Sequence, residues 1–121
     1  QFRTARLALQ KALMKDPDNI IAKNGIEYIN LCETKSNEFF DIAQHEYQEN
    51  NYASAIEYCN RAIDFYHNSP QIAKLKAMSY EKELNYRGAV KYYQQYLAMN
   101  PNAADRAEIM KKMEKFQPKA N

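Results

Sequence analysis

Apolar side chains recur along this chain at intervals of three and four residues, the spacing of one face of a helix. Ile21, Gly25, Tyr28 and Cys32 form one such stripe, and Ala22, Ile26 and Ile29 form the adjacent one. Ile109, Met113 and Phe116 repeat the pattern near the end of the chain. Two glycines in the whole chain and few β-branched runs favour helix throughout. The pattern predicts seven helices, at about 1–15, 18–34, 36–49, 52–66, 70–83, 86–99 and 102–116. Their ends are marked by Asp16-Pro17, an Asp18-Asn19 cap, a Ser36-Asn37 cap followed by Glu38, and turns at Asn50-Asn51, Leu84-Asn85 and Asn100-Pro101. No strong breaker separates Cys32 from Phe39, so fusion of the second and third helices is the alternative.

One of these elements returns. Tyr52-Ala53-Ser54-Ala55-Ile56-Glu57-Tyr58 comes back 34 residues later as Tyr86-Arg87-Gly88-Ala89-Val90-Lys91-Tyr92. Each copy runs on into an apolar helical tail, Ala62-Ile63 in the first and Tyr96-Leu97 in the second. A period of about 34 residues carried on helix–turn–helix units is the mark of a helical solenoid, whose stacked units expose one long face. Ala55 and Ala89 are expected at a close helix crossing, where a larger side chain would force the helices apart.

The chain resembles the tetratricopeptide family. In the second copy the family's small, aromatic and proline positions are filled by Ala77, Tyr80, Tyr86, Ala89, Tyr96 and Pro101. Tyr96 stands where a small residue is usual. In the first copy they are Ala43, Glu46, Tyr52, Ala55, Ala62 and His67, so Glu46 replaces an aromatic and the proline arrives late, as Pro70. A partial third match opens the chain with Phe2, Ala5, Ala12 and Pro17. The resemblance implies an all-α superhelix, with full units at 36–69 and 70–101, the second helix of a truncated unit at 1–17, and a capping helix at 102–117. It also implies that the parent chain begins earlier.

Phe2 and Tyr52 are 50 residues apart, sixteen more than the period. Sixteen residues make about 24 Å of helix, one additional element. The segment 18–35 is that element, and its wide apolar face predicts burial against two neighbours. If it is continuous with the next helix, a long helix could exchange between protomers and make a homodimer.

Composition narrows the function. A formal charge of +2, from 17 basic and 15 acidic side chains, gives no basic surface of the kind nucleic acid selects. No apolar run has the length of a membrane span, and no signal peptide is visible. A soluble chain, cytoplasmic or periplasmic, is expected. Cys32 and Cys59 lie in no metal-ligand spacing and read as two buried thiols. His45 and His67 stand apart from any acidic pair, and there is no phosphate loop or nucleophile elbow. No metal, no cofactor and no catalysis are therefore expected. The ten tyrosines read mostly as gap fillers between helices.

The resemblance further implies which side chains line the groove. From the first unit these are Asn37, Phe40, Gln44, Tyr47 and Gln48, and from the second Gln71, Lys74, Met78, Glu81 and Lys82. A subgroup of the family clamps acidic C-termini with a set of lysines, an asparagine and an arginine. Here Phe40, Gln44, Lys74 and Met78 fill those places, one cation of the set. The expected function is a non-catalytic protein–protein interaction module, a scaffold or adaptor that takes a partner segment with an apolar anchor. The alternatives are a self-association module and a regulatory or assembly domain of a larger enzyme or envelope protein.

Overall fold

The computed structural model describes residues 2–66 and 69–120, and these are helical with no strand. His67 lies outside the described residues. Among them there are six helices: α1 (Phe2–Lys15), α2 (Ile20–Gln48), α3 (Tyr52–Phe65), α4 (Pro70–Lys82), α5 (Tyr86–Met99) and α6 (Arg106–Ala120). None is long and apolar enough to cross a membrane.

The largest departure from the sequence pattern is α2. In place of separate helices at 18–34 and 36–49 there is one helix of 29 residues. Its start is as expected, with the Asn19 side chain accepting from the Ala22 N–H. The expected second cap does not form. Thr34 Oγ1 donates to Asn30 O within the helix, and Ser36 Oγ donates to Ala62 O on α3. The hydroxyl that would have stopped a helix is used sideways, and no Gly or Pro lies between Cys32 and Phe39 to break it.

Two shorter helices lie end to end along α2, both antiparallel to it. On the N-terminal half, the side chain of Leu9 lies against Gly25, where an added Cβ would sit 2.8 Å from Leu9 Cδ1. Arg6 bridges to Glu33 at 2.9 Å and donates to Asn30. On the C-terminal half, Phe39 stacks on Phe65 and Tyr47 meets Tyr52 edge to face. Where the two short helices abut, Phe2 stacks on Tyr66 at 5.6 Å between ring centroids. Beyond this, α3 packs on α4, α4 on α5 and α5 on α6, and α2 also reaches α4.

The turns repeat bond for bond. Asn51 N–H donates to Glu46 O and Asn50 N–H to Tyr47 O, while Asn85 N–H donates to Tyr80 O and Leu84 N–H to Glu81 O. Each bond has its twin 34 positions on, and both sets are the paired 6→1 and 5→2 bonds that close a helix through a left-handed residue. That residue is Asn50 (φ 64°) in one turn and Leu84 (φ 62°) in the other.

The core follows the small residues. Ala43, Cys59, Ala62, Ile72 and Leu75 form one buried cluster. Ala77, Ala89, Tyr93, Ile109 and Phe116 belong to a second, toward α6. Ala55 and Ala89 are fully buried, as the crossing argument requires. The helix expected at 102–116 begins at Arg106 and continues through Pro118. Proline there removes only one bond of the final turn, and the buried Phe116 holds that turn against Tyr86 at 4.9 Å.

Candidate functional site

The ten residues expected to face a partner fall on the facing parts of α2 and α4, and the structure divides them into three groups. Asn37, Phe40 and Gln71 gather around a concavity of about 390 Å³, completed by Ser36, Tyr66, Ser69 and Ile72. Phe40 is half-buried there, with Asn37 and Gln71 exposed at its sides. The floor is set by the two hydroxyls: Ser36 is held by Ala62 O, and Ser69 caps α4 by accepting from the Ile72 N–H. Gln71 Oε1 accepts from Ser69 Oγ at 3.2 Å, and an apolar ring flanked by this amide and that of Asn37 suits a short segment with one aliphatic or aromatic anchor.

Tyr47, Lys74, Met78 and Glu81 make the second group, and most of its polarity is used within the chain. Lys74 Nζ lies 2.6 Å from Asp105 Oδ2, and Tyr96 Oη donates to Asp105 Oδ1 at 2.7 Å. Two turns along α4, Tyr93 Oη donates to Glu81 Oε1 at 2.7 Å, with Lys112 Nζ 3.5 Å from the same oxygen. Both are lysine–carboxylate–tyrosine bridges. They run between α4 and the α6 side, and α5 supplies the tyrosine to each. Met78 sits between them and packs against the second core cluster. Lys112, expected on a solvating cap, is instead a partner of Glu81.

The electrostatics follow from these contacts. The Lys74 ammonium and the Tyr96 hydroxyl hold the Asp105 carboxyl below its usual range. The Asp105 carboxylate in turn raises Lys74 and is the main cause that raises Tyr96. Burial first, and the bond to Glu81 second, push the Tyr93 phenol well above its ordinary value. Neither lysine is therefore a loose cation awaiting an acidic ligand.

Gln44, Gln48 and Lys82 form the third group and are exposed. Another concavity, about 670 Å³, lies along α5 and α6 and is lined by Gln94, Met110, Met113 and Gln117 among others. None of the ten residues reaches it. Tyr66, Ser69 and Asp105 were not read from the sequence as site residues. Asp105 and Lys112 each sit 31 positions from their partner, and no local pattern signals such a pairing.

Among the described residues no three His, Cys, Asp or Glu side chains gather as metal ligands, and no buried side-chain nitrogen or oxygen lacks a hydrogen-bond partner. Cys59 is fully buried, and burial pushes its thiol up to about 12, far from a reactive thiolate. No protein-family model matches the chain, and no curated protein matches it.

Proposed function

We propose that this chain is a tetratricopeptide-type interaction module that binds a segment of another protein and performs no catalysis. In this reading 36–69 and 70–101 are its two full units, and the segment lies across α2 and α4 with its anchor against Phe40. The observation that carries the reading is the concavity formed by Asn37, Phe40 and Gln71 between two helical hairpins whose turns repeat at 34 residues. The bridges through Lys74 and Glu81 make recognition depend on the apolar anchor and the amides rather than on charge. Affinity should then vary little with salt, unlike contacts made by exposed lysines.

The test is a random peptide library selected on the immobilised chain. Enriched sequences should share an apolar anchor, and Phe40→Ala should weaken them by about 1–3 kcal/mol. Charge reversal at the exposed Lys111 and Lys115 is the control. Peptides that ignore Phe40→Ala but lose binding on charge reversal would sink the proposal.

A further inference from the structure

One face of α2 remains open along its whole length, and its pattern is symmetric. Ile20, Leu31 and Ile42 are 68%, 56% and 39% exposed. They lie on the side of α2 turned away from the buried Ala22, Ile29, Ser36 and Ala43. Ile20 and Ile42 stand eleven residues on either side of Leu31. Asn24 and Glu38 stand seven residues on either side, and Glu27 and Lys35 four, and all four are exposed. Steps of four, seven and eleven keep to one helical stripe.

We propose that a second copy of this chain docks on this stripe, α2 antiparallel to α2, with the two-fold axis at Leu31. A two-fold contact requires that whenever one residue meets another, the reverse contact also forms. Turned about Leu31, the stripe meets that condition with favourable chemistry at every step. Leu31 meets itself, and each Ile20 meets an Ile42. Each Glu27 meets a Lys35, and each Asn24 amide meets a Glu38 carboxylate. Other pairings are disfavoured. An axis one turn away puts Lys35 on Lys35 or Glu27 on Glu27, and a parallel pairing stacks every charge on its own kind. A helix seam of about 33 Å buries on the order of 1,200 Å² in total, the lower end for a specific interface. The dimer is therefore concentration-dependent. It leaves Phe40 and the α2–α4 concavity on another face, so it stands apart from the binding proposed there.

Sedimentation velocity from micromolar to near-millimolar chain, at low ionic strength, is the test. The wild type should pass from monomer to dimer. Leu31→Glu should remain monomeric with its helical circular dichroism unchanged, since Leu31 is a surface residue. Glu27→Lys should weaken the dimer several-fold by setting lysine against Lys35. The double variant Glu27→Lys with Lys35→Glu should recover it. Glu27 and Lys35 are two turns apart on one helix, so recovery has no explanation within a single copy. A wild type that stays monomeric overturns the proposal. So does a dimer indifferent to Leu31→Glu, which is how a helix-exchanged dimer would behave, and so does a double variant no tighter than the single one.

Discussion

Ser36 Oγ donates a hydrogen bond to Ala62 O at 2.9 Å, tying the middle of the longest helix to the end of the next one. Both residues are buried. The last carbonyls of a helix have no partner inside it. Here Ala62 O takes the Tyr66 N–H at the end of α3 and the Ser36 hydroxyl from the side. The bond holds the junction where α1 and α3 meet on α2. Ser36→Ala should cost about 1 kcal/mol, the low end for a lost buried bond because Tyr66 still serves the carbonyl. Thr34→Ala removes only an exposed bond to Asn30 O within the helix and should leave the stability unchanged. Urea unfolding of the two variants checks the difference.

Leu84 occupies a conformation that suits glycine or asparagine. Its φ is 62°, and it is 70% exposed, so it gains little burial in return. The equivalent turn uses Asn50 at φ 64°. A left-handed β-carbon costs roughly 1–2 kcal/mol, partly offset for glycine by the entropy of its unfolded chain. Leu84→Asn or Leu84→Gly should therefore stabilise by about 0.5–1 kcal/mol. A lower melting temperature in both variants would mean that Leu84 makes contacts outweighing its backbone strain.

Ala89 is fully buried between α4 and α5, whereas Ala104 is exposed in the turn before α6. Ala89→Leu should destabilise by about 1–3 kcal/mol, because the close crossing has no room for three more carbons. Ala104→Leu should be nearly silent. Equal shifts in thermal unfolding would show that the α4–α5 crossing yields more easily than its packing implies.

The repeating turns were legible because they rest on local chemistry, asparagine at the turn and small residues at fixed distances. The departures from the repeat were also informative once paired. An added Cβ on Gly88 would lie 2.8 Å from the Tyr80 ring, and that ring stacks on Tyr92. In the first copy Glu46 replaces Tyr80 and Ser54 replaces Gly88, so the glycine is needed only where the ring is present. The continuity of α2 was legible only as the alternative to two separate helices. Ser36-Asn37 has the chemistry of a cap, and what overrides it is a partner 26 residues away. The positions of the candidate residues were legible in part. The family resemblance put Asn37, Phe40 and Gln71 on neighbouring helices, and they line one concavity, but Lys74 and Glu81 are bonded to Asp105 and Lys112, which no spacing rule connects to them.

The Lys74–Asp105 bridge makes a prediction with a definite sign in pH. Asp105 titrates below its usual value because the charged Lys74 and the Tyr96 hydroxyl favour the carboxylate. A carboxyl whose folded value is depressed binds fewer protons than it does in the unfolded chain. Its contribution to stability is therefore complete above the unfolded value, near 3.9, and is lost as pH falls through the folded one. The Lys74 ammonium, raised by the same partner, limits the bridge only at the alkaline end. Asp105→Asn should thus lower the melting temperature at neutral pH and lose that effect at strongly acid pH, where the wild-type carboxyl is also neutral. Tyr96→Phe should reproduce part of the loss, since it removes one of the two donors to Asp105. Melting curves of the three proteins across the acid range decide the matter. A difference between wild type and Asp105→Asn that stays constant down to the lowest pH would show that the aspartate acts through packing at the start of α6 and not through its charge.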